Sequence, residues 1–471
     1  MNKLQSRKIE SQARACIEAL NDSINACLVD GFPADRALRL FFKQNRKFGS
    51  RDRRLIREAI FTVWRWYGWG RYLLPDYLRL REAPGILGKT HRDYRGHHFP
   101  EKNGLREPDA ASLLLFTQIL EYNDVTPCAA VWADLCTMPL RAVEGIVNIS
   151  DQPRRANEML KTLWENKTAD TADLPTLQIN DLLPSWAVER FSFPIDQQAA
   201  LGWLQKRPPV WIRIQTRDAA ELAAAFRERE IDFFVHKRLN DAVNLGHPGK
   251  SLYGLPEFGR GAFEIQDIAS QCIGHACAPR PGERWWDACA GAGGKSLQLS
   301  ALMREEGKIL ATDIRKAKLD ELRKRARRQK SGVTIACQRW RGDSPLKHEH
   351  DFDGVLVDAP CSGSGTWRRH PDAPWRTSAG DIEKFVEIQK RLLSNAAKSV
   401  KPGGVLIYAT CSMFPYENQG VAEHFLMHNE KFDLEPFTNP LTGEETRGTL
   451  QIWPWDADCD AVFIARFRQK Q

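Results

Sequence analysis

Residues Gly354–Trp367 read GVLVDAPCSGSGTW. The short apolar run Val355–Val357, bounded by a glycine and an aspartate, has the length and texture of a buried parallel strand. It stops at Asp358, where Ala359-Pro360-Cys361-Ser362-Gly363 must turn sharply. In an open α/β sheet, ligands sit at the carboxyl ends of the strands, so Asp358 and Cys361 are expected at such an edge. Further on, GGVLIYATCS (Gly403–Ser412) repeats the arrangement, with a strand that ends in Thr410-Cys411-Ser412. Two cysteines at strand ends suggest covalent chemistry.

Outward from this stretch, strands and helices alternate from Gly254 to the end of the chain. GERWWDACAGAGGKS (Gly282–Ser296) leads into a helix over Leu297–Glu306, then a strand KILATDI (Lys308–Ile314) and a basic helix. VTIACQRW (Val333–Trp340) and the Val355 strand follow. A helix over Ile382–Val400 precedes the Val405 strand, and WPWDADCDAVFIARF (Trp453–Phe467) closes the pattern. Such alternation predicts a doubly wound α/β domain of Rossmann-like form.

DACAGAGGKS (Asp287–Ser296) sits where a strand feeds a helix, so its glycines would let backbone approach a ligand at a helix N-terminus. A phosphate-binding Gly-x4-Gly-Lys-Ser loop fits Gly294-Lys295-Ser296 but meets Cys289 at its first position. A dinucleotide G-x-G-x-x-G fits Gly291 and Gly293 but ends on Ser296. A methyltransferase binding S-adenosylmethionine asks for an acid ending the first strand, a glycine turn and an acid ending the second. Asp287, Gly291 with Gly293, and Asp313 supply these.

The cysteines separate the readings. Free cysteine is usually a small buried hydrophobe, which is expected of Cys16, Cys27, Cys128, Cys136, Cys272, Cys277 and Cys337. Cys361 and Cys411 differ because each ends a strand. Cytosine C5 is too poor a nucleophile to take a methyl group until a thiolate adds at C6, with an acid near N3 to stabilise the charge. The C5 proton must then leave before the enzyme is expelled. Two thiols and a carboxylate fit those steps, whereas methylation of an exocyclic amine needs neither thiol. A phosphate-loop nucleotidase and a non-catalytic RNA-binding or ribosome assembly factor are the alternatives of different class. Binding alone requires no cysteine pair.

The chain has 471 residues, 42% hydrophobic and 27% charged, enough for two or three domains. Its N-terminus is polar and no apolar run reaches membrane-spanning length, so neither a secretory signal nor a membrane segment is expected. Eleven cysteines, an odd number with no CxxC pair, suit a reduced cytoplasmic protein without a structural zinc site. The net charge of +8 hints at a polyanionic partner. Between Arg315 and Lys330, nine basic residues face two acids, which reads as a solvated helix face or a nucleic-acid groove.

Residues 7–80 show helical periodicity over Ala13–Leu28, Ala37–Phe42 and Leu55–Leu74, with Ser50 or Asp52 as a cap for the third. Arg51, Arg53, Arg54, Arg57 and Arg65 could meet phosphates there. Residues 84–108 read as a loop, and its His91, His97 and His98 lack companion ligands, so no metal site is expected. Helical periodicity resumes through Ala110–Leu163. PVWIRIQT (Pro209–Thr216), a helix over Asp218–Glu230 capped by Asp218, and IDFFVHK (Ile231–Lys237) read as a small α+β module.

These residues carry a resemblance. FEIQDIASQ (Phe263–Gln271), DACAGAGGKS, ATDI, RGDSP (Arg341–Pro345), VDAPCSGSGTWRRHPD, IYATCSMFPYENQ and DAVFIARF, in this order, make residues 254–471 closely similar to the RsmB-type (Fmu/Sun) RNA cytosine-C5 methyltransferases. The resemblance implies that Cys411 is the C6 nucleophile and Cys361 the thiol that helps release the product. It also implies that Cys289, Ala290, Gly291, Ala292, Gly293, Gly294, Lys295, Asp313, Asp343 and Asp358 surround S-adenosylmethionine and the target base. Asp358 is the expected acid near N3. Ribosomal RNA is the expected substrate, with transfer RNA as the alternative. Two departures stand out: Gly291-Ala292 replaces the family's Ala-Pro, and Asp460-Ala461-Val462-Phe463 replaces Asp-Gly-Phe-Phe. Neither touches the thiols, so activity is expected to survive both.

SRDRRLIREAIFTVWRW resembles the NusB-like helical RNA-binding domain of some members, and residues 184–250 look like their small RNA-binding module. The expected organisation is a helical NusB-like domain over 1–168, an α+β module over 180–252 and a Rossmann-like class I methyltransferase domain over 253–471. RNA would lie across Arg51–Arg65, the small module and the basic helix, with the target base flipped toward Asp358, Cys361 and Cys411.

Overall fold

Five strands of the C-terminal half run parallel, and their sequence dictates why. The computed structural model describes residues 3–75, 105–166, 174–215, 219–329, 331–347 and 350–471. In it β5 (Arg284–Asp287), β6 (Lys308–Asp313), β7 (Thr334–Arg339), β8 (Phe352–Asp358) and β9 (Val400–Thr410) pair in the order β7-β6-β5-β8-β9. β12 (Val462–Gln469) adds antiparallel to β9, and both β10 (Phe432–Leu434) and β11 (Thr449–Ile452) pair with β12. Alternate residues of a strand face opposite sides of a sheet. Val355 and Val357 join Trp286, Leu406 and Tyr408 in a core completed by Leu392, Leu393, Val421 and Phe425 from two helices. Leu356 joins Trp285, Ile309, Ile407 and Ile464 on the other side, with Ile268, Cys272 and Ile273 of the helix Ile268–Cys277. Both faces are covered, which is why the run is apolar throughout rather than alternating. Each such fully buried aliphatic side chain contributes about 1.5–3 kcal/mol.

Two compact units are present. One holds residues 1–206 together with Trp367–Asp381, the other 207–366 together with 382–471. This cuts the chain differently from the boundaries expected at 168, 180 and 252. The small antiparallel sheet, ordered β2-β3-β1-β4, is built from β1 (Trp211–Ile214), β2 (Phe234–Val235), β3 (Ala242–Asn244) and β4 (Phe263–Ile265). Its fourth strand comes from the FEIQ stretch, with Ile212 opposite Ile265, so pairing draws the module into the second unit. The motif VDAPCSGSGTWRRHPD is itself divided after Thr366.

The first unit is helical. Helices Lys3–Ile24, Ala34–Gln44, Ser50–Arg65, Glu107–Tyr122, Pro127–Leu135, Leu140–Val147 and Gln152–Glu165 bury Leu20, Trp64, Phe116 and Trp132 in one core. The indole N–H groups find partners, Trp64 donating to Ser23 Oγ at 2.8 Å and Trp132 to the Ala13 carbonyl at 3.1 Å. Asp52 accepts the Gly49 N–H at 3.1 Å and so closes the start of the third helix from within its first turn. Trp375 of the returning segment packs edge-on against Tyr67 at 4.9 Å. Asp372 accepts from the Ala34 N–H at 3.1 Å and from Arg376 at 2.7 Å. Asp218 and the loop histidines His91, His97 and His98 lie outside the described residues.

Candidate active site

Strand order reverses between β5 and β8, the point where open α/β sheets bind ligands. Asp287 ends β5, Asp313 ends β6, Asp358 ends β8, and Cys411 follows the last residue of β9. The parallel register therefore brings the carboxyl ends of these strands to one edge of the sheet.

Between β5 and the helix Gly294–Leu302, Gly291 and Gly293 have φ of +54° and +87°, a conformation that side chains resist. A Cβ on Gly293 would meet Leu322 at 2.4 Å, while Gly291 and Gly294 border open space. The turn is braced from outside. Arg213, buried in β1, donates to the Gly294 carbonyl at 3.1 Å, and Arg325 donates to the Ala292 carbonyl at 2.9 Å and to Glu264 at 2.7 Å. Burial lowers the Arg213 guanidinium to about 10 against the pull of Glu264 and Asp241. Arg213 does not stand out in the sequence, because it acts across elements distant along the chain, and Arg325, one of the basic run expected to face solvent or nucleic acid, turns inward to brace the glycine turn.

Asp313 accepts the Gly291 N–H at 3.1 Å and the Arg315 N–H at 2.7 Å. Asp287 accepts from Ser296 Oγ at 2.6 Å, while its second carboxylate oxygen is buried without a partner. An open glycine turn at a helix N-terminus, an unpartnered buried acceptor and an acid ending the next strand fit S-adenosylmethionine, whose cationic amino-acid portion and ribose hydroxyls need such acceptors.

Burial pushes the Asp287 carboxyl up to about 7, the Ser296 hydrogen bond opposing and the Asp358 charge adding. A carboxyl that holds its proton more tightly folded than unfolded contributes stability that is full below its ordinary 3.8 and fades as pH rises through about 7. Asp287→Asn cannot titrate. In thermal melts of the cofactor-free protein its stability relative to wild type should therefore improve from pH 5 to pH 8, by on the order of 2 kcal/mol. A difference independent of pH would contradict this environment.

The thiols meet. Cys361 Sγ lies 3.4 Å from Cys411 Sγ, and both cysteines are half-buried. Their loops are stitched together: Gly365 donates its N–H to the Cys411 carbonyl at 2.9 Å and accepts the Ala461 N–H at 2.9 Å. A Cβ at Gly365 would lie 2.1 Å from the Ala461 oxygen, so the SGSG loop tolerates only glycine there. The Cys361 thiol is pushed well above its ordinary range by its hydrogen bond with Cys411, by burial and by the nearby charges of Cys411 and Glu417. Lys295 Nζ lies 2.8 Å from Asp358. Burial works against the Lys295 ammonium, but the Asp358 carboxylate outweighs it and raises the pKa. Cys289 is held as a thiol by burial and by Asp287, Asp358 and Asp313.

Other expected residues are placed differently. Asp343 is exposed, with Arg391 at 3.7 Å. Arg65 faces the helical core, buried with Glu121 at 3.4 Å, and so is not available to a phosphate. Cys16, Cys27, Cys128, Cys136, Cys272 and Cys277 are buried as expected, but Cys337, expected with them, is only half-buried because it lies on β7, the edge strand of the sheet. Among the described residues no group of three or more His, Cys, Asp or Glu could hold a metal ion, and no helix is long and apolar enough to cross a membrane.

An open, mostly parallel sheet with a glycine turn after its first strand and an acid after its second defines an S-adenosylmethionine-dependent class I methyltransferase. Residues 275–468 match the family 16S rRNA methyltransferase RsmB/F. The ribosomal RNA small subunit methyltransferase B of Shewanella oneidensis is 31% identical over 363 residues, 75% of this chain and 79% of the relative. A methyltransferase homolog protein from Pyrococcus horikoshii aligns with 60% of this chain and 93% of its own at 26% identity and a TM-score of 0.50. The crystal structure of PH0851 shares the fold over 96% of this chain and 99% of its own, with a TM-score of 0.70 at 23% identity. The chain belongs to the RsmB/F family of rRNA methyltransferases.

Proposed function

We propose that this enzyme methylates C5 of a cytosine in small-subunit ribosomal RNA through a covalent adduct on Cys411. The observation that carries the reading is the pair of strand-end thiols 3.4 Å apart beside the cofactor turn. When bound, S-adenosylmethionine supplies an electrophilic methyl group. The chain's own residues do the rest. Gly291, Gly293 and Gly294 admit the ligand, the Gly294–Leu302 helix start and Asp287 receive its polar end, and Asp313 accepts from its ribose.

Cys411, as thiolate, forms a bond to C6 of the flipped base and displaces the C5=C6 electron pair toward the ring. Asp358 is the acid near N3 in this reading, and Lys295, whose Nζ lies 2.8 Å from its carboxylate, can hand it the proton that N3 takes up as charge gathers there. After C5 is methylated, Cys361 gives its proton to the departing Cys411 sulfur and takes up the C5 proton. The Sγ–C6 bond breaks and the C5=C6 double bond returns. The raised Cys361 thiol suits this step, since it keeps a proton beside Cys411 until that sulfur leaves. Asp343 would act at the cofactor only through a change in its exposed side chain. The helical unit is a NusB-like RNA-binding domain in this reading, with Arg51 among its contacts, and the enzyme works in the cytoplasm.

Methylation at C5 expels one C5 hydrogen per methyl group transferred. With small-subunit RNA carrying tritium at cytosine C5, tritium should appear in water in equal amount to the methyl transferred. Methyl transfer without tritium release would place the reaction at another atom and overturn the proposal.

A further inference from the structure

One buried acid takes no part in the chemistry above. Glu417 is fully buried. One of its carboxylate oxygens accepts from Ser362 Oγ at 2.5 Å and from Ser412 Oγ at 2.6 Å. The other accepts the Ser362 N–H at 2.9 Å and the Gln389 amide at 3.0 Å. Among the described residues no lysine or arginine pairs with it. A carboxylate taken out of water without a cation is costly, and only a full set of donors makes it tolerable.

The donors come from informative places. Ser362 follows Cys361, and Ser412 follows Cys411. Ser362 and Ser412 hydroxyls also lie 3.3 Å apart, and Ser364 Oγ lies 3.2 Å from Ser412 Oγ. Gln389 donates to the Pro360 carbonyl at 3.0 Å as well, so the same side chain reaches the turn just before Cys361. The acid itself is fixed, since Tyr408 donates to its carbonyl at 2.5 Å and the neighbouring Asn418 is bonded to Thr410 and to the Ser412 carbonyl. All of these residues belong to one unit.

We propose that Glu417 is a positioning residue, a buried clamp that ties the Cys361 loop to the Cys411 loop and sets the spacing of the two thiols. The proposal rests on the reading of both cysteines as reacting groups. Its hydrogen bond with Cys411, burial and, among the nearby charges, the clamp's own negative charge all keep the proton on Cys361.

The test uses the full chain and two kinds of variant. Glu417→Gln keeps the shape but replaces one accepting oxygen by an amide that cannot accept. Ser362→Ala and Ser412→Ala keep the carboxylate and remove one small strut each, so they serve if the glutamine variant does not fold. Three quantities are measured: multiple-turnover methyl transfer to small-subunit RNA, which includes expulsion of Cys411, S-adenosylmethionine affinity by calorimetry, and iodoacetamide alkylation of each thiol from about pH 6 to pH 10.

Glu417→Gln should lower methyl transfer about 100-fold, the effect of slight misplacement of reacting groups. Cofactor affinity should be unchanged, and the Cys361 alkylation profile should move to lower pH. Each serine variant should lose about 10-fold, and the double serine variant less than the product of the two, because they share one acceptor. Wild-type rates in Glu417→Gln, or in both serine variants, would overturn the clamp. So would a rate loss matched by lost cofactor binding with an unmoved Cys361 profile, which marks a merely structural acid. Cys411→Ala, run alongside, separates the two layers. If it is inactive while Glu417→Gln is unimpaired, the clamp alone fails; if it retains methyl transfer, the thiol reading fails and the clamp with it.

Discussion

Cys411→Ala loses methyl transfer by about 10⁴-fold or more, because a reaction that needs a nucleophile at C6 has no slower route of comparable rate once that nucleophile is gone. The loss should fall on the chemical step. Cys411 lies at the end of β9, outside the glycine turn, so calorimetry should find S-adenosylmethionine bound as in wild type, and RNA should still be retained. Cys411→Ser is expected to be no better, since a hydroxyl is far harder to ionise than a thiol. Substantial activity in either variant would remove the covalent mechanism. The neighbouring thiol cannot substitute: the Cys361 sulfur is held in its protonated form by its hydrogen bond with Cys411, by burial and by nearby charge.

Cys361→Ala has the opposite signature. Attack by Cys411 and methylation of C5 do not need the second thiol, but expulsion does, so the variant stalls with RNA attached. Turnover should fall by about 10²–10⁴-fold, the usual worth of a positioned acid–base group. On a denaturing gel the protein should migrate as a slow, ribonuclease-sensitive band. Combining both substitutions should abolish the band, because no bond to C6 can form. The same result distinguishes an enzyme from a non-catalytic binder, which forms no adduct whichever cysteine it carries.

Much of this site is legible in the amino-acid sequence. A glycine-bounded apolar run ending in Asp-Ala-Pro-Cys can only be a buried strand delivering its last residues to a sheet edge, and β8 does so with Val355, Leu356 and Val357 fully buried. The acids Asp287 and Asp313 are readable for the same reason, since each closes a short apolar strand, and the first of them leads directly into the glycine turn.

What escaped is everything that depends on which strands become neighbours. Glu417 reaches Ser362, and Arg213 reaches Gly294, only because sheet order juxtaposes segments far apart in sequence. Arg65 looked like one of a set of surface arginines, but its place on the helix turns it inward to Glu121. The FEIQ stretch reads locally as the start of the catalytic domain, yet its backbone completes the small sheet. Local pattern predicts an element; it does not say what that element pairs with.

The central claim is a bond between one named sulfur and one base. The Cys361→Ala protein, recovered with its RNA, can be digested with nuclease and protease and the remaining peptide sequenced by mass spectrometry. The account predicts a methylated cytidine nucleotide on Cys411. A nucleotide on any other residue, or an unmodified Cys411 peptide from a slow-migrating band, would contradict it.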